Sequence, residues 1–121
     1  MMMLNDSVRV IIPNKADYIS LVRLISSALG SKAGFNIDEI DDLKVAIGEA
    51  CILTFMPHSQ DEIAITYGVS KEMLEVSIEG LGNLSTNEES KETHLSKMII
   101  ESLMDEVQYL DDQLRMVKYI D

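Results

Sequence analysis

Residues 41–55, DDLKVAIGEACILTF, carry leucine, valine, isoleucine, alanine and cysteine at helical spacing, with one carboxylate, Glu49, set among them. Ile40, Leu43, Ile47, Cys51 and Thr54 recur three or four positions apart, so a helix gathers them into one stripe. Ala46 and Ala50 beside that stripe let a neighbouring element come close. The stretch NIDEI supplies a start: Asn36 caps the first turn, Glu39 returns the hydrogen bond, and Asp38 meets the positive end of the helix dipole. The helix is expected to run to about Phe55, with Pro57 closing it. It keeps an acid at Glu49 and a leucine, Leu53, one turn further on, which makes the purpose of that acid the central question.

On the N-terminal side, SVRVIIP alternates Val8, Val10 and Ile12 with Arg9 and Ile11 and stops at Pro13, the pattern of a strand. From residue 16 to about 29, Ile19, Val22, Leu24, Ile25 and Leu29 recur at helical spacing, with Gly30 and Gly34 punctuating the end. On the C-terminal side the period changes to two: Ile63, Ile65 and Tyr67, then Leu74, Val76 and Ile78, a hairpin turning near Ser70 and Lys71. EGLGNLSTNEESKE, residues 79–92, has no period and reads as a surface loop. THLSKMIIESLMDEV returns to helical spacing through Leu95, Met98, Ile99, Ser102 and Leu103, with Thr93 at its start. EVQYL and QLRMVKYI, around Asp111 and Asp112, form a closing hairpin.

The order β, α, α, β, β, α, β, β departs from strict βαβ alternation, and strands joined by short turns are antiparallel. The expected fold is α+β: a two-layer α/β sandwich with three helices on one face of a mixed, mostly antiparallel sheet, the opposite face left open. At 121 residues with 46% apolar content, residues 1–121 are expected to form a single domain. No apolar run approaches the length of a membrane span. The opening MMMLNDSVRV lacks a basic segment followed by a long apolar stretch, and the one cysteine, Cys51, allows no internal disulfide; both suit a cytoplasmic protein. Ten basic against 21 acidic residues leave a net charge of -11, which repels nucleic acid and anionic membranes but suits solubility or a basic protein partner. His58 and His94, the two histidines, stand at no metal-binding spacing, so no metal is expected. Met98 and Met104 sit at core spacing, which assigns them to packing.

DEIDDLKVAIGEAC, together with ADYISLVRLISSAL before it and YGV, LEVSI and ESLMDEV after it, resembles the anti-sigma factor serine kinases of the RsbW and SpoIIAB type, within the Bergerat-fold (histidine-kinase-like) ATPases. The resemblance covers nearly the whole chain. It implies a cytoplasmic, dimeric protein that holds a sigma factor inactive and phosphorylates a serine of an antagonist, with ATP between helices and sheet under a lid. In that family a helix-two glutamate activates the attacking hydroxyl, and an asparagine four positions on helps hold magnesium. Glu49 matches the glutamate, but Leu53 stands in place of the asparagine, and a hydrocarbon cannot ligate a hard cation.

The family's aspartate that reads adenine falls at Gly80, with Gly82 matching the glycine two residues later. Glu79 is adjacent but, on a strand, points to the other face. The phosphate-cradling glycine cluster falls at Thr93, His94 and Ser96, whose side chains crowd that approach, and the lid before them is shorter than in the family. Arg23 matches a first-helix arginine that faces the sigma factor and antagonist. These matches imply a regulatory protein-binding module, a pseudokinase-like relative without a bound cofactor, which engages a sigma factor, an antagonist or a related partner through its first helix and exposed sheet face and is a possible homodimer. The alternative is an ATP-dependent serine-protein kinase with a divergent site, using Glu49, ATP and magnesium. A third reading keeps the pocket, made more apolar by Leu53 and Gly80, for another small ligand.

Overall fold

Asn36 and Glu39 close a reciprocal pair. The backbone N–H of Glu39 donates to Asn36 Oδ1 at 2.8 Å, and that of Asn36 donates to Glu39 Oε1 at 2.9 Å. This capping box launches the longest helix of the computed structural model, which describes residues 6–54, 61–79 and 91–120. In chain order the elements are β1 (Asp6–Pro13), a 3-10 turn, α1 (Ile19–Ala33), α2 (Ile37–Thr54), β2 (Glu62–Val69), β3 (Met73–Glu79), α3 (Lys91–Leu103), β4 (Glu106–Tyr109) and β5 (Gln113–Tyr119).

α1 runs further than its spacing suggests. Gly30 lies inside the helix and is buried, because a Cβ there would come within 3.0 Å of Leu43 and 3.2 Å of Phe35; its bareness lets α1 and α2 close up. The stop is Gly34, at φ 108, a left-handed conformation that glycine adopts without steric penalty. The N–H of Phe35 then reaches the carbonyl of Gly30 at 3.0 Å, and that of Gly34 reaches Ser31 at 3.1 Å, which terminates the helix as a Schellman motif.

The five strands form one sheet in the order β1-β2-β3-β5-β4, antiparallel at every pairing, the limiting case of the mostly antiparallel sheet expected. The register brings Ile65 opposite Ile78, Tyr67 opposite Val76, and Val76 opposite Met116. Ile63, Ile65, Tyr67, Leu74, Val76, Ile78, Leu114 and Met116 are therefore buried on one face. Against them pack Val22 of α1, Leu43, Ala46, Ile47, Ala50 and Cys51 of α2, and Ile100 of α3. Each large side chain of this layer contributes roughly 1.5–3 kcal/mol by leaving water. Ser26 shares a hydrogen bond with Tyr67 at 2.9 Å, so the phenol inside the core keeps a partner.

Three expectations need correction. α3 begins at Lys91, so Thr93 lies inside its first turn, and Glu79 belongs to β3; the remainder of the expected loop, residues 80–90, lies outside the described residues, as do Phe55, Pro57 and His58. The buried line of α3 runs through Ser96 and Ile100, whereas Leu95 and Met98, expected inside, are 57% and 54% exposed. Leu24 of α1 is likewise 69% exposed. In each case the helix is rolled by what it packs on, and α3 turns the small Ser96 rather than Leu95 toward α2.

Candidate functional site

Glu49 and Leu53 lie one turn apart on α2 and share the side that α3 packs against. Leu53 is buried, 7% exposed, within the apolar core, and its side chain offers no oxygen to a cation. Glu49 is half-buried, and its Oε1 accepts a hydrogen bond from Ser96 Oγ at 2.7 Å, a charge-assisted contact between helices. Ser96 itself is 5% exposed. Two positions singled out in the sequence are thus in direct contact, and Leu53 sits one turn below Glu49. Thr93 and His94 stand in the first turn of α3, while Gly80 and Gly82 lie outside the described residues. Glu79 points to the open sheet face and pairs with Arg9 at 2.8 Å, so it does not substitute at the Gly80 position.

On its outer side Glu49 borders a groove of about 320 Å³ lined by Arg23, Asp41, Lys44, Val45 and Glu49. Arg23 reaches it from α1 by laying its guanidinium over the backbone of α2 at Gly48. Among the described residues Arg23 has no carboxylate within ion-pair distance. Exposed apolar side chains flank the helix layer: Leu24, Val45, Ile52, Leu95 and Met98. Below the groove, burial pushes the Cys51 thiol up to about 12, with the positive charge of Arg23 pulling the other way, so the thiol is protonated and inert.

The opposite, open face of the sheet is electrostatically closed on itself. Arg9 bonds both Glu79 and Thr66, and Arg115 bonds Glu75 at 2.6 Å with Glu106 at 3.7 Å. The Glu75 hydrogen bond raises the Arg115 pKa above its ordinary value. Lys118, on the helix side, donates to the carbonyl of Leu103 at 3.1 Å and so satisfies the end of α3.

Three helices packed on one face of an antiparallel sheet are consistent with the family whose model the chain matches: residues 12–118 match the histidine kinase-like ATPase domain. The chain belongs to that family. It is 31% identical over 137 aligned residues to the serine-protein kinase RsbW of Bacillus cereus strain AH187, covering 95% of this chain and 86% of the relative. The same figures hold for the proteins of that name from Bacillus thuringiensis subsp. konkukian strain 97-27 and from Bacillus anthracis. The alignment is longer than the 121-residue chain, so these relatives carry positions with no counterpart here. No helix among the described residues is long and apolar enough to cross a membrane.

Two features of the site escaped the sequence. The Ser96 to Glu49 bond joins residues 47 positions apart, for which no local pattern gives a signal. The Arg23 to Gly48 contact did leave a trace: a glycine inside a strongly helical pattern lowers propensity and calls for a packing reason.

Proposed function

We propose that this protein is a regulatory protein-binding module of the anti-sigma factor type, a single cytoplasmic domain for which nucleotide has become dispensable. The observation that carries the reading is the state of the second helix: Glu49 is engaged by the chain's own Ser96, and Leu53, which the resemblance aligns with the magnesium ligand, is a buried hydrocarbon. A hydroxyl held on the carboxylate occupies the position through which a base would take a substrate proton. An isobutyl group supplies no oxygen donor. These residues do not fit magnesium-bound ATP.

The partner surface of this reading is the outer face of the helix layer around Arg23. Arg9 and Arg115 on the open sheet face are neutralised by their own carboxylates, whereas Arg23 stands over an open groove beside exposed Leu24 and Val45. Arginine beside apolar side chains is the composition of an interface centre. A sigma factor or its antagonist is the partner class that kinship with RsbW supports. The test is calorimetric titration of the purified protein with each purified sigma factor and antagonist protein of its source cell. One of them binds, and Arg23→Glu weakens that binding by about tenfold or more without lowering the melting temperature. Binding that is indifferent to Arg23 removes the assignment.

A second reading, an ATP-dependent serine-protein kinase, draws on one observation: Glu49 is kept, half-buried and at the edge of the groove. It requires nucleotide binding, which melting of the protein with and without magnesium ATP decides.

A further inference from the structure

Gly48 is buried although it shares its side of α2 with exposed Asp41, Lys44, Val45 and Ile52. What covers it is Arg23. A Cβ at position 48 would lie 2.5 Å from Arg23 Nη2, 2.8 Å from Nε and 3.1 Å from Cζ, so the guanidinium rests on bare helix backbone.

We infer that Gly48 is a positioning residue for Arg23: its missing side chain forms a seat that holds the guanidinium over α2 at the rim of the groove, and so fixes the point from which Arg23 meets a partner. The part concerning the partner rests on the proposed function; the seat itself does not. An arginine free in solvent loses much rotamer freedom when it is captured, and one already seated loses less. The seat is also readily emptied. The far end of a flexible side chain yields before a helix backbone does, so any side chain at 48 displaces the guanidinium rather than the fold. Alanine is a better helix former than glycine, so Gly48→Ala is expected to melt no lower than the wild type.

The test compares wild type, Gly48→Ala, Arg23→Ala and the double variant. The first readout is the Arg23 Nε–H resonance of ¹⁵N-labelled protein, assigned by its loss in Arg23→Ala. The second is affinity for the purified source-cell sigma factor that binds the wild type. Gly48→Ala is expected to shift the resonance and collapse its heteronuclear NOE toward that of a mobile side chain. Affinity is expected to fall about tenfold, with no further fall when Gly48→Ala is added to Arg23→Ala. An unchanged resonance in Gly48→Ala overturns the seat, whatever the partner. A shifted resonance with unchanged affinity, while Arg23→Ala binds weakly, overturns the link to binding and leaves the proposed function standing. An equal loss from Gly48→Ala in the Arg23→Ala background overturns the inference, because the effect then bypasses Arg23. If Arg23→Ala binds as tightly as the wild type, the partner assignment fails, and the resonance alone decides the seat.

Discussion

Ser96 Oγ donates to Glu49 Oε1 at 2.7 Å and ties α3 to α2 across a separation of 47 positions. The carboxylate singled out in the sequence is thereby engaged from within the chain. Ser96→Ala leaves that oxygen to water where water reaches it. Hydrogen bonds to charged groups contribute about 1.5–3 kcal/mol, and because Glu49 is only half-buried the expected loss is at the lower end, about 1.5 kcal/mol. Urea unfolding checks this through a lower midpoint at an unchanged slope. Nucleotide affinity is not expected to appear in this variant, because Leu53 still offers no ligand to the metal.

The capping box makes a second, local prediction. Asn36→Ala removes the acceptor for the Glu39 N–H and is expected to lower stability by about 1 kcal/mol. Glu39→Gln keeps the geometry of the return bond and is expected to lose less. Thermal unfolding of the two variants ranks them; an equal or larger loss in Glu39→Gln would mean that charge at the helix dipole outweighs the bond.

These two sites mark what was legible. The box spans three residues and is written in consecutive letters, as are the period-two runs that became β2 and β3 and the proline that ends β1. The position of β5 between β3 and β4 was not written locally, because antiparallel pairing across a helix depends on which hydrophobic faces meet in space. The roll of α3 failed for a related reason: Leu95 and Met98 form as good a stripe as Ser96 and Ile100 until Glu49 arrives to bind the serine. Gly34 rather than Gly30 ended α1 because close packing on Leu43 needs the absent side chain at Gly30. The candidate site was legible on α2 alone, since i and i+4 share a face in any helix, and not across to α1 or α3.

Alkaline pH is the third test. Burial raises Cys51 from 9.0 to about 12 and Tyr67 from 10.0 to about 12, the latter against a lowering by its Ser26 hydrogen bond. Both groups are neutral when protonated, so above pH 9 the unfolded chain loses these protons first and binds fewer of them than the folded chain. Stability from this source is therefore full below about pH 9 and is lost as pH rises toward 12. Urea midpoints across pH 7 to about 11 are expected to be flat at first and then to fall. Cys51→Ala is expected to delay the onset toward the ordinary tyrosine range, and a midpoint that rises with pH in that window would contradict the burial of both groups.

The open face of the sheet supplies a contrast. The Arg9–Glu79 pair lies between side chains 52% and 39% exposed, where water screens it. Arg9→Ala is expected to change stability by less than about 1 kcal/mol, and less still in high salt. A loss of several kcal/mol on thermal unfolding would show that this face is covered in solution.

The central claim, that the chain regulates by binding and has no need of nucleotide, is tested most directly by melting the purified protein with and without millimolar magnesium ATP. A ligand at a hundred times its dissociation constant stabilises by about 2.7 kcal/mol, on the order of ten degrees for a domain of this size. Superimposable melting curves are expected at every nucleotide concentration. A saturable upward shift that requires both ATP and magnesium would contradict the claim and restore the kinase reading.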